Sequence, residues 1–341
     1  LGAGDVAAAI PWGGGGASGE VDQRRLTQAF SIAFRLVTLA EENASAQHRR
    51  RVQADHGLDA VSGLWGRILS DLVAAGHDAS AIADGISGTV VEPVLTAHPT
   101  EAKRATVLEQ HRALYLSLVA RENQMWTPAE QTAIRRDLKA DLERLWRTGE
   151  IFLERPEITD ELRNIVHYLV RVFPEVIPQL DERLYAAWEA AGFDPELLGV
   201  DAMPQVAFGT WVGGDRDGHP FVTAEVTEQT LQHLHTQAVE LADDALRTLA
   251  RGLSMSDRIN QVPAELSAWI AQTAAALGDT GRRAVERNPQ ESWRQCVNLI
   301  RAQLPGTDGP SYRAATDAIA DVMRLRGWLV AAGAQRLARR D

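Results

Sequence analysis

Residues Val90–Arg112 read VVEPVLTAHPTEAKRATVLEQHR, and the rest of the chain is organised around this stretch. Val90, Val91, Val94 and Leu95 form a short apolar run with β-branched residues, which predicts a covered strand. Pro93 has no N–H to give to a ladder, so pairing is expected to begin late or to carry a bulge. Thr96, His98 and Thr100 cluster where the strand should end. Pro99 suits the first position of a helix, where an N–H would have no partner. Glu101 sits where a carboxylate reaches back to the cap. Val107, Leu108, Leu114, Tyr115 and Leu118 then recur at helical spacing and predict a core-facing stripe. Carried back one turn, that stripe passes through Lys103, Arg104 and Thr100, so its N-terminal end turns cationic beside His98. Exposed N–H groups and the helix dipole add positive potential there. An imidazole that titrates near neutrality, two cations and a helix start together make a candidate anion site.

A second stretch has the same grammar. Gln205 to Val212 predicts a strand, with Val206, Phe208, Trp211 and Val212 apolar. It ends in Gly213-Gly214-Asp215-Arg216-Asp217-Gly218, where glycines permit a positive φ or close approach to a ligand. Asp-x-Asp-Gly invites a calcium loop, but the sixth loop position is Pro220 rather than Gly and the twelfth is Val226 rather than Glu. Two readings of the loop remain open. Arg216 is held by Asp215 or Asp217 as part of a tight structural turn. Alternatively, the two carboxylates orient Arg216 to meet an anionic ligand with paired hydrogen bonds.

These residues carry a resemblance. LTAHPTEAKR (95–104) resembles the histidine signature of the phosphoenolpyruvate carboxylase family, and GTWVGGDRDGHPFVT (209–223) resembles that family's second N-terminal signature. Leu39-Ala-Glu-Glu-Asn43 with Arg49, Arg50 and Arg51 is similar to its N-terminal helix. The run Trp146–Glu161 follows the pattern more loosely, and Glu291–Arg294 and Gly333–Ala338 echo later parts. The resemblance covers most of 22–341 but only the family's N-terminal half. It implies the N-terminal part of a heavily helical β/α (TIM-like) barrel. It also implies conversion of phosphoenolpyruvate and bicarbonate to oxaloacetate and phosphate, with this chain carrying only part of the site. His98 matches the essential histidine, expected to transfer protons. Arg216 matches the motif arginine, with Arg104 and Lys103 as further substrate contacts. Asp215 and Asp217 are expected to orient rather than ligate metal, so no metal ligand is assigned within these residues. Magnesium is the implied cofactor, with ligands from the missing C-terminal half. A cytoplasmic homo-tetramer under allosteric control is implied as well. Two positions depart from the pattern. Lys103 stands where arginine is common and offers no planar fork, and His219 stands where asparagine is usual.

The remaining sequence bounds these expectations. Thirty-five basic against 46 acidic residues give a formal charge of −11, which argues against nucleic-acid or anionic-membrane partners. The single cysteine, Cys296, excludes an internal disulfide and multi-cysteine zinc sites, and suits a reducing compartment. No apolar run spans a bilayer, and no signal peptide opens the chain, which begins on Leu1 rather than Met. Residues 1–20 are expected to be a flexible Gly-rich segment. Gly13–Gly16 lack the following Lys-Ser/Thr of a phosphate-binding loop. Residues 21–341 are expected to form the barrel portion. Helices are predicted over 22–55, two within 58–86, from a Thr127–Glu130 capping box to about 146, over 160–172 and 174–191, from Thr223 to about 251, and over 262–277, 289–304 and 311–339. The fold class is mostly α with a few strands, parallel by the family resemblance. Two other readings compete: a catalytically silent carboxylase-like binding protein, and a helical scaffold in which His98 and Arg216 lie apart.

Overall fold

The computed structural model describes residues 4–10, 22–96, 105–148, 158–199, 202–217, 220–307 and 309–340. His98, Lys103, Arg104, His219, the Gly13–Gly16 run and part of the 146–161 motif lie outside them. The described chain is mostly helical with a few parallel strands. It divides into two units, Leu1–Thr223 and Ala224–Asp341.

The first unit holds helices α1 (Gly4–Ala9) to α8 (Phe173–Ala190) and all four described strands. Helix α2 (Gln23–His56) starts where the Asp22 carboxylate accepts the Arg24 N–H, and ends at Gly57 with φ 95°. Its Ile32 and Leu39 pack with Val107 and Leu114 of α5 (Ala105–Arg121) and Leu145 of α6 (Pro128–Thr148). Four of the five stripe residues therefore face this core, Val107 and Leu114 within it and Tyr115 and Leu118 against it, while Leu108 is half-buried outside the cluster. At the start of α6 the Thr127 N–H and hydroxyl both donate to Glu130, whose N–H donates to the Thr127 hydroxyl (2.8, 2.7 and 3.3 Å). Helices α3 (Trp65–Ala74) and α4 (Ala79–Ser87) bury Leu69, Ile82 and Ile86 against Leu184 and Trp188 of α8. Asp78 caps α4 through the Ala81 N–H at 2.8 Å.

The break expected between 172 and 174 is instead a continuous helix. Helix α7 (Ile158–His167) passes through a π-helical turn, Tyr168–Val172, into α8. Pro174 has no N–H for the Val170 carbonyl and would crowd it in an α turn, so the wider turn ending at Val172 lets the helix continue, while Pro178 leaves a second N–H absent inside α8.

The strands form one interrupted parallel ladder. β1 (Val90–Val91) pairs with β3 (Gln205–Val206), and β2 (Val94–Leu95) pairs with β4 (Gly209–Thr210). The partners differ by 115 in both segments (205 − 90 and 209 − 94), so a single register runs through. Amide groups of Gln205, Ala207, Gly209 and Trp211 donate to the carbonyls of Thr89, Val91, Pro93 and Leu95 at 2.9–3.2 Å. The reciprocal bond at the interruption would need an N–H from residue 93, which proline lacks. The covered strand expected from the apolar run is not observed: Val90, Val91 and Val94 are 61, 50 and 48% exposed. Among the described residues each strand has one partner only, so nothing closes over the run.

The second unit is wholly helical among its described residues. It comprises α9 (Ala224–Gly252), α10 (Ala264–Ala276), α11 (Asp279–Glu286), α12 (Ser292–Arg301), α13 (Ala315–Ala331) and α14 (Gln335–Arg340). Helix α12 is its centre, with Trp293, Cys296, Val297, Leu299 and Ile300 essentially inaccessible. Burial first, then the Asp321 charge, pushes the Cys296 thiol far from ionisation, so this sulfur is packing and not a nucleophile. Two expectations are corrected. Helix α11 occupies Asp279–Glu286, between the helices expected over 262–277 and 289–304, where none was predicted. The single helix expected over 311–339 is split at Gly333, whose φ of 80° terminates α13. No helix of the described residues is long and apolar enough to cross a membrane.

Candidate anion site at the parallel strand ends

Parallel pairing places the C-terminal ends of β2 and β4 side by side. Leu95 is the register partner of Thr210, and its carbonyl accepts the Trp211 N–H at 3.2 Å. The segment leaving β2 carries the first motif; Thr96 is its last described residue, and α5 resumes at Ala105. The segment leaving β4 carries the second motif. The two motif-bearing segments therefore leave the same end of one ladder, at Thr96 and Trp211.

The second turn is described in detail. The N–H groups of Gly214 and Asp215 both donate to the Trp211 carbonyl, at 3.0 and 2.9 Å, which folds the chain tightly back. The Val212 N–H donates to the Thr210 hydroxyl at 3.1 Å. Gly213 is buried with φ 74°, a left-handed conformation that a Cβ would strain. The Asp215 carboxylate accepts the Asp217 N–H at 3.0 Å across Arg216. Asp215 thus shapes the backbone that presents Arg216, an Asx turn rather than a free acid. Asp215, Arg216 and Asp217 are all exposed, as is Trp211. An exposed guanidinium on a fixed backbone is chemically suited to meet a phosphate or carboxylate. Among the described residues no cluster of three or more His, Cys, Asp or Glu could hold a metal ion. The described acids of this turn therefore do not by themselves make a magnesium site.

The second turn lies where the glycines and carboxylates predicted it, the first lies outside the described residues beyond Thr96, and the sequence did not reveal the ring stack beside the second. Phe173, at the start of α8, stacks on Phe208 with centroids 4.2 Å apart and planes at 21°. The available signal was an aromatic inside a strand opposite a proline-bearing helix start.

The family model described as phosphoenolpyruvate carboxylase matches residues 19–324. The chain belongs to the phosphoenolpyruvate carboxylase family. It is 34% identical to the phosphoenolpyruvate carboxylase of Methylorubrum extorquens over 327 residues, covering 92% of this chain and 35% of that protein. Those of Nocardia farcinica and Mycobacterium leprae are 35 and 32% identical, over 83 and 92% of this chain and 29 and 34% of theirs. The chain thus spans about a third of the length of these curated relatives.

The second unit also carries an open cleft of ≈940 Å³, lined by Arg247, Arg283, Arg287 and Arg301 together with Glu240, Asp243 and Asp244. Arg301 grips Asp243 through Nε and Nη2 at 2.8 and 3.1 Å, and Arg247 pairs with the same carboxylate. Burial raises the Asp243 pKa, but the Arg301 hydrogen bonds and charge, with those of Arg247, outweigh it and hold the carboxyl below its usual range. A depressed folded pKa contributes stability that is complete above the unfolded value of about 3.9 and is lost as pH falls through the folded value. Arg301→Met is therefore expected to flatten the loss of stability below about pH 4. Urea unfolding at pH 3 and pH 7 measures this; an unchanged acid limb would remove the pair from the unit's acid sensitivity.

Proposed function

We propose that this chain forms the N-terminal portion of a phosphoenolpyruvate carboxylase and supplies the anion-facing half of its active site. The observation that carries this reading is the in-register parallel pairing Val94↔Gly209 and Leu95↔Thr210, which sets the chain entering the first motif beside the chain entering the second. In a β/α barrel, catalytic groups collect at the C-terminal ends of parallel strands. Residues 21–341 are proposed as part of such a barrel, completed by chain corresponding to the remainder of the relatives.

In the proposed reaction, bicarbonate attacks the phosphate of phosphoenolpyruvate and the bond to the enol oxygen breaks. Carboxyphosphate and the enolate of pyruvate result, and carbon dioxide released beside the enolate is captured as oxaloacetate. Arg216 holds substrate anion by paired hydrogen bonds, with Arg104 and Lys103 as further cations. His98, two residues beyond Thr96, moves the proton that lets carboxyphosphate break down. Asp215 and Asp217 keep Arg216 in place. Magnesium ligands are proposed to lie outside the aligned third. A cytoplasmic, effector-regulated tetramer remains the accompanying proposal.

The test has two arms. The purified 341-residue chain, given magnesium, bicarbonate and phosphoenolpyruvate, is expected to bind phosphoenolpyruvate and form no oxaloacetate. Arg216→Ala is expected to weaken binding roughly 10–100-fold, the worth of a charged hydrogen bond. Substituted for the aligned segment of the Methylorubrum extorquens enzyme, the chain is expected to support carboxylation, and His98→Ala in that chimera to reduce it about 10²–10⁴-fold. Turnover by the isolated chain would refute the incomplete site. Binding without carboxylation in a folded chimera would favour a silent binding protein.

A further inference from the structure

The two motif-bearing strands are held by a device that neither motif contains. In the π turn Tyr168–Val172, the Phe173 N–H donates to the Tyr168 carbonyl five residues back. Such a turn takes up one residue more than an α turn and so shifts the phase of the following helix by about 100°. The residue it delivers is Phe173, whose ring lies flat on Phe208. Phe208 occupies the interruption between β3 and β4, one residue before the segment that ends in the Trp211–Asp217 turn. Tyr168 also lies against Phe173 at 6.4 Å, and His167 stands edge-on to Tyr168 at 5.8 Å. Glu175, in the same first turn of α8, pairs with Arg112 of α5, the helix that follows the first motif. One helical turn therefore touches the strand of one motif and the helix of the other. Arg112 and Glu175 are both more than half exposed, so their attraction is weakened by solvent, and the ring stack is the firmer of the two contacts.

We infer that Phe173 and Phe208, phased by the π turn, are positioning residues that fix the Trp211–Asp217 turn relative to α5 and thereby set the anion affinity of the site. This rests on the reading of that site proposed above. Neither ring carries an atom that could move a proton or bind phosphate, so both act through the strand.

The test is calorimetric titration of phosphoenolpyruvate into the 341-residue chain and its variants, each checked for folding by circular dichroism. Phe173→Ala and Phe208→Ala are each expected to weaken binding about tenfold. The double variant should lose no more than either single, since both remove one stack. Phe208→Tyr, which keeps the stack, should bind within about twofold of the unaltered chain. Deletion of Val170, which takes out the extra residue of the π turn, should preserve helix content and weaken binding as the single variants do. If the alanine variants do not fold, Phe208→Leu carries the test by keeping apolar volume without the stack. A merely structural role would lower unfolding midpoints and leave the affinity of folded protein unmoved. Unchanged affinity, or fully additive losses in the double variant, overturns the inference. Failure of the unaltered chain to bind would instead overturn the reading of the site, and with it any positioning role.

Discussion

Trp188→Ala is expected to destabilise the first unit by about 3–5 kcal/mol, the usual cost of deleting a large aromatic from a packed core. Trp188 is 1% exposed and sits among Leu69, Ile82, Ile86, Leu184 and Leu198. Its indole N–H donates to the Asp194 carbonyl at 2.9 Å, and Phe193 meets it edge-on at 4.7 Å. The loss therefore combines lost transfer energy, an unfilled cavity, an aromatic pair and a hydrogen bond. Trp188→Phe keeps most of the volume and should cost less than half as much. Urea unfolding gives the size of the effect, and amide exchange resolved by peptide should place it in residues 65–90 and 184–203. A loss under about 1 kcal/mol would mean that this core collapses freely around the gap.

Gly281→Ala should be nearly as severe for the second unit, about 3 kcal/mol or more, at the upper end of overpacking costs. A Cβ at 281 would stand 2.4 Å from the Ala274 carbonyl oxygen and 2.7 Å from its Cα. Both are backbone atoms of α10, so no side chain can swing aside, and α10 and α11 would have to separate. Gly327→Ala is the control. It lies in α13 with nothing within 4 Å, so alanine there should be neutral or stabilise by about 0.5–1 kcal/mol through helix propensity. Equal effects at 281 and 327 would show that propensity, not close approach, decides position 281.

The same glycine shows why part of the fold was not legible. Inside α11, Gly281 reads locally as a breaker, and only the neighbouring helix reveals that it is there for closeness. Where a signal is local, reading succeeded: Thr127 and Glu130 form their box, and Val107 and Leu114 face the core. Pro93 was rightly suspect, since the ladder is interrupted there. The exposure of Val90, Val91 and Val94 was missed because an apolar β-branched run says that a strand wants cover, not that cover is present. The π turn was missed because prolines near 174 signal a stop as readily as a widened turn. For the candidate site, the Gly213–Asp217 turn was legible from its glycines and carboxylates. The Asp215-to-Asp217 backbone bond and the Phe173–Phe208 stack required coordinates. His98, Lys103 and Arg104 lie outside the described residues, and their roles remain the proposal made above.

The ladder's constant offset of 115 residues has a kinetic consequence. Helix pairs such as α10 and α11 meet after a short excursion of chain, whereas β2 can find β4 only after a very long one. The entropy of closing that excursion rises slowly, about 0.6 kcal/mol per doubling of length, but it must be met before any pairing is rewarded. The helices of the first unit should therefore assemble early and the strands late. The strand pairing is accordingly expected to show less amide-exchange protection than the helices of the same unit, so opening of the ladder ends should precede unfolding of the helices around them.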